Sequence, residues 1–317
     1  MVIFSFEGIQ PNVAIMQLTV SHLVMQSLYV VAKLNIADLL VEGPKSCEQL
    51  ADESGAHAPS LYRMLSVLAS MHIFTEDEQG QFSLTPLAST LCTDAPESMR
   101  DWVLYSGASW RLNLLNAMVH TIRTGENGYH HLYQQDLYDY FGSDPERNQI
   151  FNDGVRSQLI STHNSIVNAY DFSGVNLVVD LGGGIGSLMV KLLQANPNIR
   201  GTLYDYPHVA EEAKQFIASS DVADRCEVVS GDVFQSIPPG GDVYIFSWVF
   251  AGYNDEQAAQ ALRVCRETMP AQSRLLIADL VMTSRNQPAL SKLLDLMMLT
   301  ETPRWCPFRN SISRCTE

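Results

Sequence analysis

A doubly wound α/β domain, preceded by a smaller helical domain of winged-helix pattern, is the fold class this sequence predicts. Three observations predict it. From Leu177 onward, short Val- and Ile-rich runs alternate with segments of helical periodicity, the pattern of a parallel sheet covered by helices. The first run, Leu177–Leu181, leads straight into Gly182, Gly183, Gly184 and Gly186, and a helix-period segment, Ser187–Gln194, follows. Far upstream, the first ninety or so residues read helix, helix, helix, hairpin.

In chain order, Val13–Leu40 reads as one or two apolar helices, with Met16, Val20, Leu23, Val24, Leu28 and Val31 on one face. Ser46 opens the next helix with Gln49 as capping-box partner, and Gly55 stops it. Pro59–Met71 carries Leu61, Met64, Leu65 and Leu68 at core spacing, and Ile73–Phe74 and Phe82–Leu84 flank a polar turn as a hairpin. A winged helix that reads DNA needs a basic third helix. Here Arg63 is that helix's one cation, so dimerisation or a lid role is the better reading. Residues 96–170 form a helical region rich in aromatics, Trp102, Tyr105, Trp110, Tyr129 and Tyr140 among them, read mostly as core and in part as a wall for a flat substrate. His130–His131 beside Gly128 reads as a solvent-exposed loop doublet, and His163, on the helix entering the second domain, as structural. The expected domains are 1–95, 96–170, 171–302 and an atypical tail, 303–317.

Within the α/β part the expected strands are Leu177–Leu181, Gly201–Tyr204, Cys226–Val229, Val243–Trp248 and Arg274–Leu280. Ligands of such sheets bind at the carboxyl ends of the strands. Those ends are Gly182, Asp205, Gly231–Asp232, Ser247–Trp248 and Asp279. Glycines allow close backbone approach, helix N-termini present N–H groups, and a carboxylate at the tip of the second strand can accept from a ribose diol. A dinucleotide fingerprint is matched imperfectly, because its third glycine would fall at Ser187. The run D-x-G-G-G-x-G looks instead like the S-adenosyl-L-methionine (SAM) loop of class I methyltransferases. A purely structural turn is the bland alternative.

The net charge of −15 argues against nucleic acid or an anionic membrane surface as partner. The six cysteines form no C-x-x-C pair, so the sequence predicts neither a metal centre nor a disulfide framework, and reduced thiols in a cytoplasmic protein are expected. Leu23–Leu40, broken by Gln26, Lys33 and Asp38, reads as too polar to span a membrane.

With the segments RCEVVSGDVF and ALRVCRETM added to the glycine loop and the winged-helix start, the chain resembles the SAM-dependent O-methyltransferases of the plant-caffeate and bacterial polyketide type. The resemblance runs to about Thr300. It implies a Rossmann-like methyltransferase domain behind a dimerisation domain, a homodimer, SAM as cofactor and a small, aromatic acceptor. It places SAM on Asp180, Gly182, Gly183, Gly184 and Gly186, its ribose on Asp205, its adenine between Asp232 and Val233, and Ser247 over it.

Two departures stand out. The family's catalytic His, in V-L-H-D-W-x-D-E, aligns with Ala251 in Val249-Phe250-Ala251-Gly252-Tyr253-Asn254-Asp255-Glu256. Only about one phenol in a thousand is ionised at pH 7, so a missing base matters for that class of acceptor. The acid that orients the His aligns with Asp279, the one remaining candidate for a catalytic role. The family's closing strands are also missing from the expected tail, which leaves Arg274–Leu280 at a sheet edge. The expected function is therefore O-methyl transfer without the usual base. The alternatives are a SAM-binding enzyme that does not methylate (pericyclase, decarboxylase or hydroxylase) and an inactive, truncated paralogue.

Overall fold

The computed structural model of the chain describes residues 8–301; the expected tail, 303–317, lies outside the described residues. The chain divides between Ser161 and Thr162 into two compact units.

The first unit opens with α1 (Pro11–Val20), α2 (His22–Lys33) and α3 (Ile36–Leu39), followed by β1 (Lys45–Ser46), α4 (Cys47–Ser54) and α5 (Ala58–Ser70). The hairpin is β2 (Phe74–Glu76) with β3 (Gln81–Leu84), and β1 adds to it in the antiparallel order β1-β3-β2. The capping box on α4 forms as its residues dictate. Ser46 Oγ accepts from Gln49 N at 3.3 Å, Gln49 Oε1 accepts from Ser46 N at 2.9 Å, and Gly55 closes the helix at φ +71°. Ile36, Leu50, Leu65, Leu68, Phe74 and Phe82 make the fully buried core beneath these elements.

The apolar N-terminal stretch splits at Ser21, whose hydroxyl donates back to Leu18 O at 2.8 Å. Taken together, Pro11–Lys33 is long and apolar enough to cross a membrane by length and composition; its most apolar 18-residue stretch has mean hydropathy 1.4 and is 6% buried. Leu23–Leu40 contains Asp38, whereas the more apolar segment begins at Pro11 and ends at Lys33, before that acid. Ile15, Met16, Val20 and Leu23 are exposed along it.

The unit continues through α6 (Pro86–Ser89), α7 (Arg100–Ser106), α8 (Ser109–Asn116), α9 (Met118–Thr124), α10 (Gly128–Tyr133) and α11 (Leu137–Gly142), and then α12 (Pro145–Ala169) begins. Tyr105, Tyr129 and Phe141 are fully buried in one aromatic cluster, so for these three the packing reading is correct. His130–His131 corrects the loop expectation: both lie in α10, because Asn127 caps that helix by accepting from His130 N at 2.9 Å.

The second unit holds β4 (Leu177–Leu181), α13 (Ser187–Ala195), β5 (Arg200–Asp205), α14 (Pro207–Ala218), β6 (Cys226–Ser230), β7 (Val243–Ser247), α15 (Asp255–Thr268), β8 (Arg274–Ala278) and α16 (Leu290–Glu301). The sheet is parallel throughout, in the order β6-β5-β4-β7-β8. β4 is central and all but continuously apolar, as a strand covered on both faces must be. The chain runs outward from β4 to β5 and β6 and then crosses back to β7. The switch point, where such sheets bind ligands, therefore lies at the carboxyl ends of β4 and β7. Among the described residues β8 pairs with β7 alone and forms one edge of the sheet.

Candidate active site

The glycine turn lies at this switch point. Gly182, Gly184 and Gly186 have φ values of +71°, +58° and +95°, a region that L side chains rarely adopt. Space imposes a second requirement at three positions. A Cβ on Gly182 would lie 2.8 Å from Val249 Cγ2, one on Gly183 2.7 Å from Asp180 Oδ2, and one on Gly186 2.7 Å from Leu203 Cδ1. A Cβ on Gly184 would meet nothing within 4 Å, so this glycine faces open space. Gly182 N donates to Tyr204 O at 2.8 Å, tying the turn to β5. Gly186 is the N-cap of α13, which places that helix's N-terminus at the turn.

Asp205 closes β5. Its Oδ2 accepts from Gly184 N at 2.9 Å and its Oδ1 from Tyr206 N at 2.7 Å. A carboxylate oxygen has two lone pairs, so each retains one acceptor position for a ligand. Asp232, after β6, bonds to Phe234 N and to Gln235 Nε2, both at 2.9 Å, and thereby fixes its own turn. Val233 beside it is buried. Burial, then the Asp232 and Asp205 charges, push the Tyr206 phenol up. Tyr253 is raised by burial and by the same neighbours. Sequence reasoning passed over Tyr206 and Tyr253; Tyr206 adjoins the strand-tip Asp205 in the chain, whereas Tyr253 meets Asp205 and Asp232 only through the fold.

Asp180 lies beneath the turn and is 1% exposed. Neither of its oxygens has a hydrogen-bond partner among the described residues. Burial first, and the Asp205 charge second, push its carboxyl up to about 7. Across the switch point, Ser247 Oγ and Trp248 Nε1 are likewise buried and unpartnered. Trp248, which the sequence places at a strand end, has φ +58°, a conformation that no sequence signal shows. Buried polar groups without partners are uncommon, and here they lie at the strand ends where the sheet receives ligands. Together with the open space at Gly184, they fit a polar cofactor seated at this edge.

The segment after β7 forms a short 3₁₀ turn, Phe250–Gly252, with Ala251 buried in it. Asp279 Oδ2 accepts from Ala251 N at 2.9 Å, and its Oδ1 accepts from Leu280 N at 2.8 Å. The acid thus holds the backbone of the residue that aligns with the family His. Burial raises its carboxyl, against the opposing pull of these backbone bonds. His163 is 4% exposed, and burial, with Lys191 adding to it, lowers its imidazole to about 4. It lies in the core as a neutral ring.

A doubly wound sheet with a glycine turn and an acid on the second strand defines a nucleoside-cofactor enzyme. Comparison with known proteins narrows that class. Residues 115–305 match the profile of the O-methyltransferase domain, and residues 16–94 that of the O-methyltransferase dimerisation domain. A phenazine O-methyltransferase of Lysobacter antibioticus is 39% identical over 285 residues, covering 90% of this chain and 83% of the relative. A mitomycin biosynthesis 6-O-methyltransferase of Streptomyces lavendulae is 34% identical over 278 residues, covering 86% and 78%. The crystal structure of a methyltransferase of calicheamicin biosynthesis, in its SAH-bound form, superposes with TM-score 0.86 at 27% identity, over 98% of this chain and 91% of that one. The chain belongs to the SAM-dependent O-methyltransferase family and is an enzyme of that class, with SAM as its cofactor.

Proposed function

We propose that the chain transfers the methyl group of SAM to a small aromatic secondary metabolite whose acceptor atom is already nucleophilic. The observation that carries this reading is the switch-point cradle: the Gly182–Gly186 turn facing Asp205, with Ala251 in place of an imidazole. SAM supplies a methyl group made electrophilic by its sulfonium.

The residues of this chain do the rest. Gly182, Gly183, Gly184 and Gly186 form the wall that backbone alone can make. The free acceptor positions of Asp205 receive the ribose hydroxyls. Asp232 and Val233 flank the adenine, with Tyr206 and Tyr253 completing that pocket. Ser247 and Trp248 supply polar atoms that have no protein partner. Asp180 places a carboxyl beneath the turn, where a cationic ligand favours its ionised form.

Ala251 can accept no proton, and Asp279 is occupied with two backbone N–H groups. Asp279 therefore serves as a positioning residue that holds the Phe250–Gly252 turn, and the acceptor arrives ionised or as an amine. Proximity alone is worth about 7–11 kcal/mol in such a bimolecular transfer, so the reaction survives without a base. The enzyme works as a homodimer in the cytoplasm. The dimerisation-domain match and the exposed apolar face of α1 and α2 support the homodimer.

Titration calorimetry with SAM and SAH, followed by labelled-methyl transfer to a panel of phenols, carboxylates and aromatic amines, tests the reading. One binding event per chain and label on an ionised or amine acceptor are expected. No heat with either ligand on folded protein would overturn it. Binding with the substrate altered but unlabelled would point instead to non-methylating chemistry on the same scaffold.

A further inference from the structure

We propose that His120, Glu126 and His131 form a zinc-type metal site at the turn between α9 and α10, within the first unit. Each offers one ligand atom, and these atoms lie within 4.8 Å of one another. The cysteine spacing predicts no metal centre. This set instead comes from two helices and the short turn between them.

The turn is held by its own backbone chemistry. Gly125, at φ +76°, ends α9 by donating to Thr121 O at 2.8 Å. Thr124 Oγ1 accepts from Glu126 N at 3.1 Å. The buried Asn127 starts α10 through its bond from His130 N. The three side chains therefore project from fixed points, and an ion would not have to order the loop first.

Two imidazoles and a carboxylate are a donor set that zinc accepts, with a fourth position open to water. The rings of His120 and His131 stack at 3.6 Å with 12° between their planes. Glu126 reaches His120 Nε2 at 2.6 Å through one oxygen and His130 Nδ1 at 2.5 Å through the other. These two bonds fix the Glu126 carboxylate between the imidazoles.

Imidazole lone pairs lie in the ring plane, so two parallel rings cannot both point at one ion. Binding turns one ring out of the stack, which the half-buried positions of both histidines allow. The ion then takes the place of the direct contact between His120 Nε2 and Glu126. His130 keeps the second carboxylate oxygen and acts as the outer partner that orients Glu126. The consequence is a clamp between α9 and α10, the helix that also anchors the fully buried Tyr129 in the aromatic cluster.

The test uses untagged, EDTA-treated full-length protein titrated with Zn²⁺ against a competing chelator, with thermal unfolding read alongside. One zinc per chain and a raised unfolding midpoint are expected. His131→Ala and Glu126→Gln should each weaken binding by at least about tenfold, while circular dichroism and SAM binding stay as in the parent. His22→Ala, which removes an exposed imidazole elsewhere, should bind as the parent does. If the parent binds no zinc at micromolar concentration, or if both triad variants bind it as tightly as the parent, the proposal fails.

Discussion

Ala251 concentrates the chemical question in one methyl group. Its backbone is fixed by Asp279, so a side chain grown from Cβ starts from a held position. Ala251→His should raise the rate on a neutral phenol at pH 7 by about tenfold or more, toward the range a general base supplies, and leave the rate on an ionised acceptor unchanged. Steady-state kinetics on the two acceptors read this directly. Asp180 leads to a stability prediction. Its carboxyl rises from 3.8 to about 7 on folding, so between those values the folded chain holds a proton that the unfolded chain releases. Stability therefore falls as pH rises through that window and levels off above it. Asp180→Asn should remove that decline, a gain on the order of 2–4 kcal/mol at pH 8 and none at pH 4. His163 works the other way. Its imidazole falls from 6.5 to about 4, so its contribution is lost as pH drops through that range, and His163→Leu should soften the acid limb. Denaturant midpoints from pH 4 to pH 8 separate the two.

Among the elements, the turn between β4 and α13 separates folding from binding. Gly186→Ala meets both the φ of +95° and Leu203 at 2.7 Å, so it should destabilise the second unit and lose SAM together. Gly184→Ala meets only the backbone penalty, about 1–2 kcal/mol, because nothing lies within 4 Å of its Cβ. It should therefore stay folded yet lose SAM affinity at least tenfold, since its methyl enters the ligand's space. Calorimetry beside thermal unfolding distinguishes the pair; unchanged SAM affinity in folded Gly184→Ala would remove that glycine from the site. This turn was legible in the sequence because strand, glycines and helix are contiguous and each announces itself by local periodicity. α10 was not, because the six residues after Asn127 are too few to show a helical period.

For the whole molecule, the relevant features are the acidic charge and the uncovered apolar face of α1 and α2. If that face is the dimer contact, light scattering should give a particle of about twice the 35.2 kDa chain. Leu23→Glu should then shift it to the monomer, because burying a charge in an apolar interface costs several kcal/mol. Association of the parent with neutral lipid vesicles would argue that Pro11–Lys33 meets a membrane instead.

The sequence by itself determined the parallel sheet, the capping box at Ser46, the glycine turn and the acids at the strand tips, because each is written in spacing along a few contiguous residues. Only the tertiary structure decided that Asp279 is committed to the backbone of Ala251, that Trp248 carries φ +58°, and that His120, Glu126 and His131 converge. Those facts depend on where crossovers and turns return the chain, and burial, strain and proximity across a turn leave no period for a sequence to display.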